Sequence, residues 1–194
     1  MYFFDLKCIY NSELNILFNM KKIKILIVFI LFGLSFLIHF SYEWIPSFIT
    51  SVFSPVNESI WEHMKIIFTS TIISAIIEYF IYRNRHIEFN NLIISIPIIS
   101  TIGILLYLSL YYLITMFVQQ NMFINLSLLF IVYSFMQLVS YFLLKSEEIK
   151  YEKIIGISVV IVLTIIFAYL TYNPVISNLF LDQENHFYGI KIKE

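Results

Sequence analysis

Five apolar runs divide the chain, at 23–40, from within the stretch 54–65 to 82, at 92–118, at 122–144 and at 154–172. Each holds about 18 residues or more, enough for a helix rising 1.5 Å per residue to cross a hydrocarbon layer of about 30 Å. A bilayer core offers no water to peptide groups, so such a run satisfies its own backbone as a helix. The predicted fold class is all-α, a polytopic membrane bundle of five transmembrane helices over residues 20–172. Composition points the same way: 60% of residues are hydrophobic and 13% charged, against about 25% charged in soluble domains. Glycine and proline number four each, so the helices are expected to be long and little interrupted. Pro97 falls early in the third run, where neighbouring groups can satisfy the freed carbonyl.

Basic residues fall on alternate connections. Lys21, Lys22 and Lys24 lie at the start of the first run, Arg83 and Arg85 follow the second, and Lys145, Lys150 and Lys153 follow the fourth. The connections 41–57 and 119–121 and the tail segment 173–190 carry neither Lys nor Arg. The positive-inside rule then predicts a multi-pass protein of the cell membrane, with a cytoplasmic N-terminus and an external tail over 173–194. A net charge of −1 offers no basic surface for nucleic acid. The lipid bilayer is the one partner expected; no protein partner or oligomeric state can be read from the sequence. Cys8 is the single cysteine, so no internal disulfide forms. Abundant Ile, Phe, Tyr, Asn and Lys suggest an AT-rich bacterial genome.

Residues 1–19 lack a clean period and stand apart. Met20-Lys21-Lys22-Ile23-Lys24 before an apolar run resembles a bacterial start, so the segment reads either as a misassigned start or as a short amphipathic helix. No small-residue cleavage site follows the run, which favours an uncleaved span over a signal peptide.

The polar residues concentrate in one stretch, SPVNESIWEHMK at 54–65. Ser54 is the expected N-cap, with Pro55 in the first turn and Asn57 as an alternative cap. Helical spacing then places Glu58, Trp61, Glu62 and Lys65 on one face, with His63 off to the side. The predicted topology brings His39 and Glu43, at the end of the first span, to the same side. Asp182, Glu184 and His186 of the tail belong there too. The polar cluster is thus His39, Glu43, Asn57, Glu58, Trp61, Glu62, His63 and Lys65, with Asp182 and His186 as partners from a tail expected to fold back near Glu58 or Glu62.

Three readings of this cluster compete. The leading one is a charge-paired network that pins the first two spans together, with Lys65 on Glu58 or Glu62 and His39 on Glu43. A second is a divalent metal site on His39, Glu43, Glu58 and Glu62, donors suited to Zn²⁺, Mn²⁺ or Fe²⁺. No H-E-x-x-H or E-x-x-H spacing supports it, and no cofactor is predicted beyond that possible ion. The third is proton or ligand handling, with Glu58, Glu62 and His63 as candidate catalytic groups. Trp61 reads as an interfacial anchor, Glu78 as an acid snorkelling near Arg83, and Tyr107 and Tyr111 as packing or belt residues.

The stretch S-P-V-N-E-S-x-W-E-H-x-K, the HFSYEW end of the first span and a tail with Tyr188-Gly189 near its end resemble the DUF6512 family of small integral membrane proteins. The resemblance covers most of 20–190. The family's double-proline tail pattern is half kept here, as Asn173-Pro174-Val175. It implies a membrane protein and brings no activity. Two function classes follow from the residues: an envelope protein whose cluster is structural or partner-binding, and a membrane enzyme or small-solute carrier using the cluster as an acid/base or metal site. A cavity lined by these side chains favours the second, and direct pairing without a void favours the first.

Overall fold

The computed structural model describes residues 2–119 and 121–190, with side chains from Asn19 onward. Gln120 of the 119–121 turn and 191–194 of the tail therefore lie outside what is described, as do the side chains of the N-terminal segment, that of Cys8 included. The described residues form six helices: α1 (Tyr2–Trp44), α2 (Phe48–Phe53), α3 (Ile60–Asn84), α4 (Leu92–Thr115), α5 (Met122–Lys145) and α6 (Glu152–Tyr172). Five are long and apolar enough to cross a membrane, counting α1 from Asn19.

α1 packs on α3 and α5, and α4 packs on α3, α5 and α6. The result is a ring of α1, α3, α4 and α5 with α6 laid against the α4 flank. One end of this bundle collects the C-terminal ends of α1, α4 and α6 and the N-terminal ends of α3 and α5. The core is apolar, with Ile27, Leu31, Met64, Phe68, Val132 and Met136 almost wholly buried. Leu37, Phe80, Leu105, Phe142 and Ile165 face outward, as apolar side chains do against lipid.

Two polar tiers interrupt the core. Ser35, Ser70 and the Tyr133 hydroxyl meet at 2.6 and 3.0 Å. Nearer the opposite end, Lys24 pairs with Glu78 and donates to Ser140 Oγ at 2.6 Å, while the Tyr82 hydroxyl donates to Glu78 at 2.6 Å. Glu78 is therefore an internal acid held by a lysine of α1, and not a snorkelling partner of Arg83. A buried charge is tolerated in an apolar bundle only with such a counter-charge and filled hydrogen bonds.

The connection 45–53, expected as a plain link, contains α2. Ser47 and Thr50 close a reciprocal capping box that starts it. The start of α3 also differs from expectation. The N-cap is Ser59, whose side chain accepts from the Glu62 N–H, so the helix opens five residues after Ser54. Ser54 instead ends α2. Residues 54–59 stay out of the helix, in a run of bends, because their peptide groups are claimed by side chains: Glu62 Oε2 accepts from Val56 N at 3.0 Å, and Asn57 Oδ1 from Ser59 N at 2.9 Å. Glu58 thus precedes the helix and does not share the stripe of Glu62 and Lys65.

α4 and α6 approach closely at Gly156. A Cβ there would lie 2.7 Å from the backbone of Ile93 and Ile94, a contact only glycine permits. Gly156→Ala is expected to lower stability by about 1–3 kcal/mol, the cost of overpacking. Thermal unfolding in detergent checks this; an unchanged midpoint would show that the helices can part freely.

Candidate functional site

The polar stretch folds into two sets of side chains with different surroundings. The first is closed. Glu62 and Lys65 are ion-paired, with 2% and 0% of their side chains exposed. Lys65 Nζ also donates to Ser51 O at 2.8 Å and Thr171 Oγ1 at 2.9 Å, which uses all three of its protons. Glu62 accepts from Val56 N and Thr171 Oγ1. This network joins α2, α3 and α6, and no coordination position is left on it.

The second set opens to space. Glu58 reaches back to His63, with Oε2 at 3.3 Å from Nε2, and its Oε1 lies 3.8 Å from His39 Nε2. One donor atom from each of the three residues lies within 4.8 Å of the other two. The imidazoles of His39 and His63 are 5.2 Å apart between ring centres. His63 Nδ1 sits 2.8 Å from the Ser59 carbonyl. A carbonyl only accepts, so Nδ1 carries the proton and Nε2 turns toward Glu58. A neutral imidazole would then aim a lone pair at a carboxylate. Something positive must lie between them, either a proton on Nε2 or a cation. Glu58 fits this electrostatics: the bond to His63 holds its carboxyl below the usual range against the opposing effect of burial, and the nearby histidines assist.

A cavity of about 160 Å³ adjoins this group, lined by Glu58, His63, Tyr107, Tyr111, Asn125 and Glu184. Asn125 Oδ1 is buried without a partner. Tyr107 and Tyr111, expected as packing or belt residues, stack at 6.0 Å along the cavity wall. Neither Asn125 nor the tyrosine pair was apparent as part of a site. The available signal was an amide in the first turn of the fourth span, on the side where the predicted topology puts the acids.

The tail closes over both sets. Asp182 Oδ2 accepts from the Glu58 N–H at 3.2 Å, while its Oδ1 accepts from Glu184 N and Asn185 N, both at 2.8 Å. Asn57 Nδ2 donates to Gly189 O at 2.8 Å. Gly189 has φ +68, the left-handed region where glycine carries no penalty, and a Cβ would press on Pro174 and the Thr171 carbonyl. Trp61 stacks on Phe180 at 4.8 Å and Phe167 at 5.1 Å, and its backbone N–H donates to Leu179 O. It clamps the tail to α6. His186 is exposed in the tail and, among the described residues, pairs with neither Glu58 nor Glu62, and Glu43 is exposed at the end of α1. Glu43 and Glu62 thus stand outside the group of possible ligands, and His63 joins it.

Asp182 makes the tail acid-sensitive. Burial pushes its carboxyl up, but the N–H bonds from Asn185, Glu58 and Glu184 outweigh this and hold it below the usual value. A lowered folded pKa contributes stability above the unfolded value, and that contribution is lost as the pH falls through the folded one. The tail is therefore expected to stay fastened at neutral pH and loosen below about pH 4. Trp61 fluorescence in a Trp44→Phe background reports it, and Asp182→Asn should remove that acid transition. A transition that persists in Asp182→Asn would assign it elsewhere.

The model of the family of unknown function DUF6512 matches residues 12–190. Among curated proteins and among solved structures, none matches the chain.

Proposed function

Because the chain belongs to the DUF6512 family, whose function is unknown, we propose a role from the site alone: a membrane metalloprotein binding one divalent ion of the zinc type on His39, Glu58 and His63. The observation that carries this reading is the convergence of three donors on one point beside a polar cavity, with a charge arrangement that demands a cation. Two imidazoles and a carboxylate are the donor set of catalytic zinc sites, which leave a fourth position open. Tetrahedral bonds of 2.0–2.1 Å would set the donors about 3.3 Å apart. His63 lies 3.3 Å from Glu58 Oε2 and His39 3.8 Å from Glu58 Oε1, and with one donor atom from each residue all three lie within 4.8 Å, so an ion would draw the donors together by rotamer changes.

Such an ion would acidify a bound water or polarise a carbonyl or phosphoryl oxygen. The chain's own groups supply the rest of the chemistry. Asn125 Oδ1 offers an acceptor in need of a donor, the two tyrosines offer a flat polar wall, and Glu184 stands at the cavity as an acid or base. These suit a small polar molecule or lipid head group undergoing metal-assisted hydrolysis. The alternation of basic connections supports placing this end at the external face of the cell membrane, with the N-terminus in the cytoplasm.

The test is equilibrium dialysis of purified protein against Zn²⁺ with metal analysis. One ion per chain is expected, and none in His39→Ala. Stoichiometry near zero in the intact protein would overturn the reading and leave a proton as the cation between Glu58 and His63.

A further inference from the structure

At the end of the bundle opposite the candidate metal centre, a groove of about 670 Å³ runs between α1 and α5. We propose that it binds one anionic phospholipid, phosphate at the rim and one acyl chain along the groove. Lys21 and Lys145 both stand over the Tyr141 ring, with ammonium groups 6.0 and 5.4 Å from its centre. Among the described residues neither lysine has a carboxylate within ion-pair distance, although Lys24 beside them is neutralised by Glu78. Two positive charges gathered at one aromatic ring form a receptor for a phosphodiester.

The depth of the groove fits the rest of a lipid. Lys145 is the last residue of α5, and Lys21 lies in the first turn of the spanning part of α1, so both sit where head groups lie. Phe29, two turns and about 12 Å further along α1, lines the apolar part with Phe130, 5.7 Å away between ring centres. At the depth of Phe29, about 12 Å before Lys145 along α5, lies Gln137, only 3% exposed, with Oε1 buried and without a partner. A buried amide oxygen at this depth calls for a donor, and water carried in with the lipid supplies one. The lining carries no acid, so charge complementarity favours an anionic lipid over a zwitterionic one.

The experiment compares binding of phosphatidylglycerol and phosphatidylcholine to delipidated full-length protein in neutral micelles, by native mass spectrometry and thermal shift. Attraction to two lysines predicts roughly thirtyfold tighter binding of the anionic lipid, about fivefold for each. Lys21→Gln with Lys145→Gln should abolish the preference. Lys150→Gln with Lys153→Gln, a control of equal charge outside the groove, should keep it. Equal binding of the two lipids would overturn the proposal, as would loss of preference in both double variants. An equal shift from sn-glycerol 3-phosphate alone would replace the lipid with a soluble phosphate ester and also overturn it. None of these outcomes depends on the metal reading, which concerns the other end of the molecule.

Discussion

Glu58→Gln is expected to abolish tight zinc binding while leaving the fold intact. Glutamine keeps the size of the side chain and one carbonyl oxygen, but not the negative charge that offsets the ion. Loss of a direct ligand should exceed the roughly 10–100-fold cost of losing an outer-shell partner, so affinity is expected to fall by well over about a hundredfold. Stability should change little. The side chain is 38% exposed, and pairs at that exposure contribute about 1 kcal/mol or less. The tail contact survives because Asp182 binds the backbone of residue 58 and not its side chain. Glu43→Gln is the control, since Glu43 is exposed and outside the group of ligands. Competition with a chelating dye checks the affinity and thermal unfolding checks the fold. Unchanged zinc affinity in Glu58→Gln, or an equal loss in Glu43→Gln, would remove Glu58 from the coordination sphere.

The contrast between Glu58 and Glu62 shows what could be read from the residues and what could not. Five spans were legible because hydropathy acts over about 18 residues at a time and a bilayer leaves few alternatives. The stretch 54–65 was legible as the polar centre because so many ionisable groups rarely border an apolar run. Its internal geometry was not legible. A regular helix from Pro55 would stack Glu58 on Glu62. The chain instead stays non-helical to Ser59, because Asn57 caps its own neighbourhood and Glu62 reaches back to Val56. Those are choices between local hydrogen bonds worth about 1 kcal/mol each, too small for a periodicity argument to resolve. The shift of one helix start moved Glu58 to His63 and His39 and left Glu62 to Lys65. Thr171 and Asn125 escaped notice for another reason. A single hydroxyl or amide in an apolar helix carries no local signal, and each gains meaning only when a distant element arrives beside it.

Lys65→Met is expected to be the most damaging single change, in the opposite sense to Glu58→Gln: it should unfold the protein rather than empty a site. Lys65 has no side-chain exposure and Glu62 only 2%. Removing the ammonium leaves a carboxylate at the junction of α2, α3 and α6 with only Val56 N–H and the Thr171 hydroxyl to satisfy it. Breaking a buried pair from one side typically costs about 3–5 kcal/mol, a large part of the stability of a domain this size. Adding Glu62→Gln should restore most of the loss. Glutamine still accepts from Val56 N and removes the stranded charge, leaving the Ser51 carbonyl as the main unpaired group. Size-exclusion profiles and thermal unfolding of both variants in detergent distinguish the cases. A Lys65→Met protein as stable as the parent would mean that the pair contributes nothing to stability. A double variant no better than the single one would show that lost packing of the long Lys65 stem, and not an uncompensated carboxylate, holds this end of the bundle together.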